Sequence, residues 1–154
     1  MNAKMQEQAL VIIKPDAVKR ELIGDILLRF EHAGLHVLAM KMIRIGKHDA
    51  EEFYEEHRGK PFFAALVDML NDSPIIPIVF SGENAVARVR EIIGTTDPAK
   101  AAEGTIRHDF ALDTRQNSVH ASDSAEAAKR EIAFFFSKTE ICHSLEVVNH
   151  RNRP

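Results

Sequence analysis

The chain has 154 residues, a formal net charge of −3 at pH 7 and a single cysteine. This length suits one domain with a sizeable core, and we expect a single domain over residues 1–154. The slight acidic excess lacks the basic footprint of a dedicated nucleic-acid binder, so nucleic acid is expected only as a secondary partner. No apolar run approaches the roughly 18 residues that span a membrane, and we expect no membrane partner. The lone Cys142 and the polar start of the chain favour a reducing, cytoplasmic location.

Apolar periodicity and turn residues predict strands and helices that alternate along the chain. The first strand, Gln8 to Lys14, is stopped by Pro15, and Asp16 is placed to cap the short helix that follows. The later elements are predicted in this order: a helix with Ile23, Ile26, Leu27 and Phe30 on its apolar face that ends near Gly34, a strand over 35–45, helices over 49–57 and 61–70, a strand over 75–80, a helix over 84–93 closed by Gly94, a short strand that contains Val119, and a helix from Ala125 to about Phe136. Pro77 inside a strand indicates either an edge position or a local irregularity.

This order of elements predicts an α/β (α+β) sandwich, a ferredoxin-like βαββαβ antiparallel sheet covered by helices. The segment from Thr95 to Gln116 shows little periodicity. A loop of that length inside a compact domain is usually functional or disordered.

His120 lies between a short apolar segment and the start of a helix. Near neutral pH an imidazole is mostly unprotonated, so one ring nitrogen can attack a substrate while a partner holds the other. Asp123 and Glu126 have the spacing of a capping box, which places a helix N-terminus just beyond the histidine. Such an N-terminus favours anions, phosphate among them. The commoner alternative, given eight histidines in the chain, is a surface or satisfied polar histidine.

His120 belongs to the run NSVHASDS over residues 117–124, and four further blocks precede it. These blocks are VIIKPDAV over 11–18, PFF over 61–63, GENAV over 82–86 and GTIR over 104–107. Together, in this order, the five blocks resemble nucleoside diphosphate kinase, and the resemblance runs from about Gln8 to Ile141. It implies a ferredoxin-like fold. It also implies transfer of the terminal phosphoryl group from a nucleoside triphosphate, typically ATP, to a nucleoside diphosphate by a ping-pong mechanism through phosphohistidine at His120.

The resemblance also implies roles for the other site residues. Around His120 it assigns Glu131 to orient the ring, Ser122 to hydrogen-bond near that pair, and Tyr54 to lie close by. The implied nucleotide-binding residues are Lys14, Arg90 and Arg107 for the phosphate charge, Thr96 for a hydroxyl contact, Asn117 for the sugar and phosphate region, and Phe62 for stacking on the base. Because every base has a π-face, stacking implies broad base specificity.

Each of these residues has an ordinary structural alternative. These alternatives are a solvated helix residue for Glu131 or Arg90, a capping serine for Ser122, a solvated strand-end charge for Lys14, a turn residue for Asn117 and core packing for Phe62. At the level of the whole protein, the rival is a regulatory protein that keeps the fold and the nucleotide pocket without useful catalysis. The complete set of residues argues against that rival.

No Gly-x-x-x-x-Gly-Lys-Ser/Thr sequence is present, so the phosphates are not expected to lie in a P-loop. The resemblance implies Mg²⁺ carried on the nucleotide phosphates, with Asp123 in contact through water and no protein ligand assigned beyond it.

Ala121 stands where the family has glycine, and we predict ordinary backbone angles there. The family assembles from dimers. We therefore expect a homo-oligomer, at least a dimer, with residues 134–136 and 137–154 as candidate contacts.

Overall fold

The computed structural model describes residues 6–143. Its four strands are β1 (Glu7–Ile13), β2 (His36–Met40), β3 (Ile76–Gly82) and β4 (Val119–Ala121). They form one sheet in the order β2-β3-β1-β4, with every neighbouring pair antiparallel. The sequence-predicted α+β ferredoxin-like fold is therefore confirmed.

Helices lie in the connections between these strands and after β4. They are α1 (Pro15–Lys19), α2 (Ile23–His32), α3 (Lys47–Phe53), α4 (Phe63–Asn71), α5 (Ala85–Ile93), α6 (Ile106–Phe110) and α7 (Ala125–Phe135), with short 3₁₀ turns at Glu55–His57 and Lys138–Glu140. Within residues 6–143, no helix is both long enough and apolar enough to cross a membrane.

The two central strands carry the core. Every residue of β3 is buried, and Ala9 to Ile13 of β1 are fully buried. Strands that are covered on both faces read as continuous apolar runs, which is why both were visible in the sequence. The rings of Phe30 and Phe80, 4.5 Å apart between centroids, pack α2 on β3. Helices α5 and α7 both contact β1, and β1 therefore anchors the elements around its neighbour β4.

Pro77 lies in a central strand, so the predicted edge position is wrong. It pairs with Ile12 of β1, and its carbonyl accepts a hydrogen bond from the Lys41 N–H at 3.3 Å. In an antiparallel strand the N–H and C=O of one residue face the same neighbour. The donor that proline lacks would therefore face the β2 side, where regular pairing stops at Met40–Ile78 and resumes only at the isolated Ile43–Ile75 bridge. A proline is tolerated here because the pairing with β1 loses nothing.

Several predicted boundaries differ from the structure. The second strand covers only residues 36–40, and Ile43 beyond it makes an isolated bridge to Ile75. The predicted helix over 49–57 is divided into α3 and a 3₁₀ turn, and the segment 95–116 contains α6. The prediction that Asp16 caps α1 is wrong. The cap residue is Lys14, and the Asp16 carboxylate instead accepts a hydrogen bond from the Ser118 N–H at 3.0 Å.

The phenylalanines proposed as oligomer contacts belong largely to the core. Phe135 and Phe136 are buried, and Phe134 packs against the core while partly exposed. Of the other candidate contact segment, residues 144–154 lie outside the described residues.

Candidate active site

His120 sits in the short strand β4, directly opposite Ile12 of β1. Its Nε2 is hydrogen-bonded to Oε1 of Glu131, whose side chain projects from α7 and is buried. Since a carboxylate only accepts, Nε2 carries the proton, and the neutral ring has its lone pair on Nδ1. Among the described residues Nδ1 has no hydrogen-bond partner. The pair therefore presents one free nitrogen on a ring that lines an open cleft.

Aromatic side chains from α3 and its end hold the histidine ring. Phe53 packs edge-on against His120 with 5.3 Å between ring centroids, and Tyr54 does so at 6.2 Å. Burial, and then the charge of Glu131, raise the pKa of the Tyr54 phenol far above its ordinary value. Tyr54 therefore keeps its proton at all physiological pH values and contributes a neutral hydroxyl to the cleft.

The start of α7 differs from the predicted cap. Ser124, not Asp123, is the N-cap residue, and its hydroxyl accepts a hydrogen bond from the Ala127 N–H at 3.0 Å. Spacing alone did not distinguish two adjacent polar residues, and the residue with extended backbone next to the first helical turn takes the role. Asp123 is left exposed at the cleft beside His120.

The residues on either side of the histidine fix the end of β4. Ser122 is buried, and its hydroxyl lies within hydrogen-bond distance of the Leu10 N–H at 3.3 Å and the Leu10 carbonyl at 3.4 Å. Ala121 pairs with Val11 and is not among the described residues with positive φ. The prediction of ordinary angles at Ala121 is therefore confirmed. The left-handed residue is instead Ser118, with φ +74°, where the chain enters β4.

Lys14 follows β1 and is buried at 5% exposure. Its Nζ donates to the Asn117 Oδ1 at 2.9 Å and to the Arg115 carbonyl at 2.7 Å. Burial lowers the pKa of Lys14 to about 8, with Asp16 opposing this shift and Arg107 adding to it. An ammonium has three N–H donors, so the charged form keeps one beyond these two contacts.

Arg107 of α6 bonds to the end of α5 and to the strand that carries His120. It is buried and donates to the Gly94 carbonyl at 3.1 Å and the Val119 carbonyl at 3.0 Å, while its Nε has no partner in the described part of the chain. Burial, and then the charge of Arg90, lower the pKa of Arg107 to about 10. Because Arg107 lowers the pKa of Lys14 and Arg90 lowers that of Arg107, an anion bound at these cations would stabilise the charged forms of Lys14 and Arg107.

Two of the predicted nucleotide-binding residues, Phe62 and Thr96, lie outside the cleft that His120 lines. Phe62 is 45% exposed, and its ring stands 5.6 Å from that of His57, which is itself 6.1 Å from the Tyr54 ring. The aromatic row thus leads from the histidine cleft to an exposed phenyl face. Thr96 is exposed, two residues after Gly94.

Sequence reasoning assigned no role to Glu56 and Arg130, which line the cleft. They form an ion pair at 3.2 Å between the 3₁₀ turn and α7. They lie far apart in the chain, and no local pattern connects them. Only the fold brings them together.

Fold and cleft together define an α+β protein in which a histidine with a free ring nitrogen lines a cleft together with Arg90 and Arg130, a combination suited to phosphoryl chemistry. A model of the family described as nucleoside diphosphate kinase matches residues 7–141. The chain belongs to this family of phosphotransferase enzymes.

Individual relatives agree. The nucleoside diphosphate kinase of Pasteurella multocida (strain Pm70) is 56% identical over 135 residues, which cover 88% of this chain and 97% of that protein. The crystal structure of the Aquifex aeolicus nucleoside diphosphate kinase is 45% identical with a TM-score of 0.86, covering 88% of this chain and 99% of that one. A halophilic nucleoside diphosphate kinase from Halobacterium salinarum, solved in complex with CDP, is 41% identical with a TM-score of 0.88, covering 92% and 94%.

Proposed function

We propose that this nucleoside diphosphate kinase transfers the terminal phosphoryl group of a nucleoside triphosphate, typically ATP, to a nucleoside diphosphate through phosphohistidine at His120. The observation that carries the proposal is the hydrogen bond from Nε2 to Glu131, which leaves the Nδ1 lone pair free. In the first half-reaction Nδ1 attacks the γ-phosphorus, the N–P bond forms, and the bond to the bridging oxygen breaks as the diphosphate leaves. In the second, a terminal oxygen of the acceptor diphosphate attacks the same phosphorus and the N–P bond breaks. One site serves donor and acceptor in turn, so the kinetics are ping-pong.

Glu131 stabilises the positive charge that develops on the ring as Nδ1 attacks. A buried carboxylate that already accepts the Nε2 proton needs no reorganisation to do this. Tyr54 and Ser122 complete the catalytic set around the ring. Tyr54 contributes its neutral hydroxyl, and Ser122 holds the end of β4 on Leu10 so that the histidine keeps its register.

Lys14, Arg90 and Arg107 bind the phosphates and neutralise the charge that moves during transfer. The proposal is supported by the effects of Arg107 on the pKa of Lys14 and of Arg90 on the pKa of Arg107, since a bound anion stabilises cations placed this close together. Thr96 and Asn117 add polar contacts to the phosphates and the sugar. Asn117 is already held by the Lys14 ammonium.

Phe62 supplies the stacking face for the base. Its ring is 45% exposed, which leaves it open to stacking, and stacking uses the π-face that purines and pyrimidines share. Broad base specificity follows from this mode of recognition.

Mg²⁺ is proposed to enter on the nucleotide. Within residues 6–143, no cluster of three or more His, Cys, Asp or Glu side chains could hold a metal by itself. The exposed carboxylate of Asp123 at the cleft suits a single contact through water to an ion whose other ligands are phosphate oxygens. When bound, the ion neutralises phosphate charge.

We further propose that residues 1–154 form one nucleoside diphosphate kinase domain, located in the cytoplasm and assembled as a homo-oligomer, at least a dimer. The match of the family model to most of the chain supports the single domain. Met40 and Met42, 49% and 56% exposed at the end of the edge strand β2, offer apolar surface that a second copy would cover.

The test is to mix the purified protein with ATP labelled at the γ-phosphate and Mg²⁺, remove free nucleotide, and assay the protein for acid-labile phosphate before adding GDP. Wild type is expected to take up label and pass it to GTP. The His120→Ala variant is expected to take up none. His32→Ala, which changes an exposed histidine on α2, is the matched control and should behave as wild type.

An unlabelled wild type that still binds nucleotide would refute the phosphohistidine mechanism. Label retained by His120→Ala would place the acceptor elsewhere. In steady state, double-reciprocal plots at several fixed GDP concentrations should be parallel, and intersecting lines would contradict a ping-pong mechanism.

A further inference from the structure

Arg29 of α2 contacts the segment Gly104–Phe110 at three points. One guanidinium nitrogen donates to the Gly104 carbonyl at 2.7 Å, and the other pairs with the Asp109 carboxylate at 2.7 Å. The guanidinium carbon also lies 4.9 Å from the centroid of the Phe110 ring. One side chain therefore binds residues on both sides of Arg107.

The held segment has little stability of its own. Helix α6 is only five residues long, and a single helical turn is marginal without tertiary contacts. Its internal hydrogen bonds are few: the Thr105 hydroxyl accepts from the His108 N–H at 3.3 Å, and the Thr105 carbonyl accepts from the Asp109 N–H at 3.0 Å. The position of α6, and with it the backbone of Arg107, consequently depends on contacts made by other elements.

The contacts of Arg29 are suited to holding α6 in position. A planar guanidinium can make two directed hydrogen bonds and stack on an aromatic ring at once, which a lysine ammonium cannot. The pair with Asp109 is only partly exposed, at 32% and 27% of the two side chains. Hydrogen bonds from His108, and then from Arg29, lower the pKa of Asp109, so its carboxylate stays charged throughout the neutral range.

We propose that Arg29 is a positioning residue for the phosphate site, which fixes the segment Gly104–Phe110 so that Arg107 meets the nucleotide phosphates. The inference rests on the proposed function, because Arg107 must itself contact phosphate. In this role Arg29 acts on the nucleotide only through Arg107.

The test measures binding of ADP and of adenosine by calorimetry in wild type, Arg29→Gln, Arg107→Gln and the double variant. We expect Arg29→Gln to weaken ADP binding about tenfold, because a displaced Arg107 loses a charge-assisted contact to phosphate. Adenosine, which has no phosphate, should bind as in wild type. In the Arg107→Gln background, Arg29→Gln should have no further effect on ADP.

Two conservative variants and one control sharpen the result. Asp109→Asn removes the carboxylate charge that pairs with Arg29 and contacts His108, but leaves the other Arg29 contacts, and should give a smaller loss of ADP affinity. Arg29→Lys keeps the positive charge but loses the paired guanidinium donors and the stacking on Phe110. It should therefore bind ADP better than Arg29→Gln but less well than wild type. Arg44→Gln, which changes an exposed arginine bonded to the Asp72 carbonyl, should bind ADP as wild type.

The outcomes separate the two proposals. If Arg107→Gln binds ADP as wild type does, the phosphate role of Arg107 fails and the inference fails with it. If Arg107→Gln weakens ADP but Arg29→Gln does not, the inference alone is overturned. It is also overturned if Arg29→Gln weakens adenosine equally, or if the two losses multiply in the double variant. Urea unfolding shows which variants are folded. If Arg29→Gln does not fold, Asp109→Asn takes its place, and if Arg107→Gln does not fold, Arg107→Lys takes its place.

Discussion

Raising the pH from about 7 to about 9 is expected to weaken ADP binding roughly tenfold through a single lysine. Burial lowers the pKa of Lys14 to about 8 in the free protein. A bound phosphate favours the charged ammonium and raises this pKa in the complex. Binding above pH 8 therefore requires uptake of a proton. Affinity is full below the pKa of the free protein and falls as the pH rises through it.

The magnitude follows from the protonated fraction of Lys14. With a pKa of about 8, about nine tenths of the protein carries the charge at pH 7 and about one tenth at pH 9, which is the origin of the tenfold change. The neutral amine has only two N–H groups. Both are used by Asn117 and Arg115, so no donor remains for a ligand. ADP itself stays fully ionised over most of this range because the last phosphate pKa is about 6.

The assay is calorimetric titration of ADP at half-unit steps of pH, in buffers of different ionisation enthalpy so that proton uptake is counted directly. Lys14→Met should bind weakly and show no slope between about pH 7 and 9, whereas Lys100→Met, which removes an exposed lysine, should keep the wild-type profile. A flat wild-type profile, or a slope that survives in Lys14→Met, would refute the assignment of this titration to Lys14.

Three further changes give expected outcomes. Glu131→Gln keeps the shape of the side chain but loses a charge-assisted hydrogen bond worth about 1.5–3 kcal/mol, so quench-flow should show phosphohistidine forming about ten- to hundredfold more slowly; an unchanged rate contradicts the orienting role. Phe62→Ala should lose about 1–3 kcal/mol of stacking for ADP, GDP and UDP alike in calorimetry, and a loss confined to purines would contradict broad base specificity. Gly94→Ala adds a Cβ 2.6 Å from the Thr105 Oγ1 at φ +87°, and in urea unfolding it should cost more than the roughly 1–3 kcal/mol of a strained backbone alone. Gly59→Ala, at φ +84° with open space around the added Cβ, is its matched control, and equal losses would refute the steric argument.

The fold was largely predictable because its strongest signals are local. Continuous apolar runs identified β1 and β3, and Gly94, with φ +87°, ends α5 where the sequence placed the stop. The failures share one cause. Spacing identified a helix start near residues 123–124, but it did not show which side chain would accept a hydrogen bond from the free N–H groups. Asp16 does not cap α1 because its carboxylate accepts a hydrogen bond from the Ser118 N–H, which is distant in the sequence.

Pro77 shows the same limit within a strand. Its sequence context suggested an edge position or a local irregularity. The strand is central, and regular pairing with β2 is interrupted beside Pro77, which depends on the course of a different strand. A rule about one residue cannot include that fact.

The sequence by itself determined the order of strands and helices, the family, and which residue types could carry the chemistry, because these depend on patterns within short stretches. Tertiary structure decided which side chains meet. The hydrogen bond between His120 and Glu131 requires α7 to pack against the sheet next to β4, and the contact of Lys14 with Asn117 joins residues 103 positions apart. The ion pair between Arg29 and Asp109 likewise joins α2 to α6. Contacts of this kind follow from strand register and helix packing, which bury apolar surface across the whole chain and only then fix the distances between polar groups.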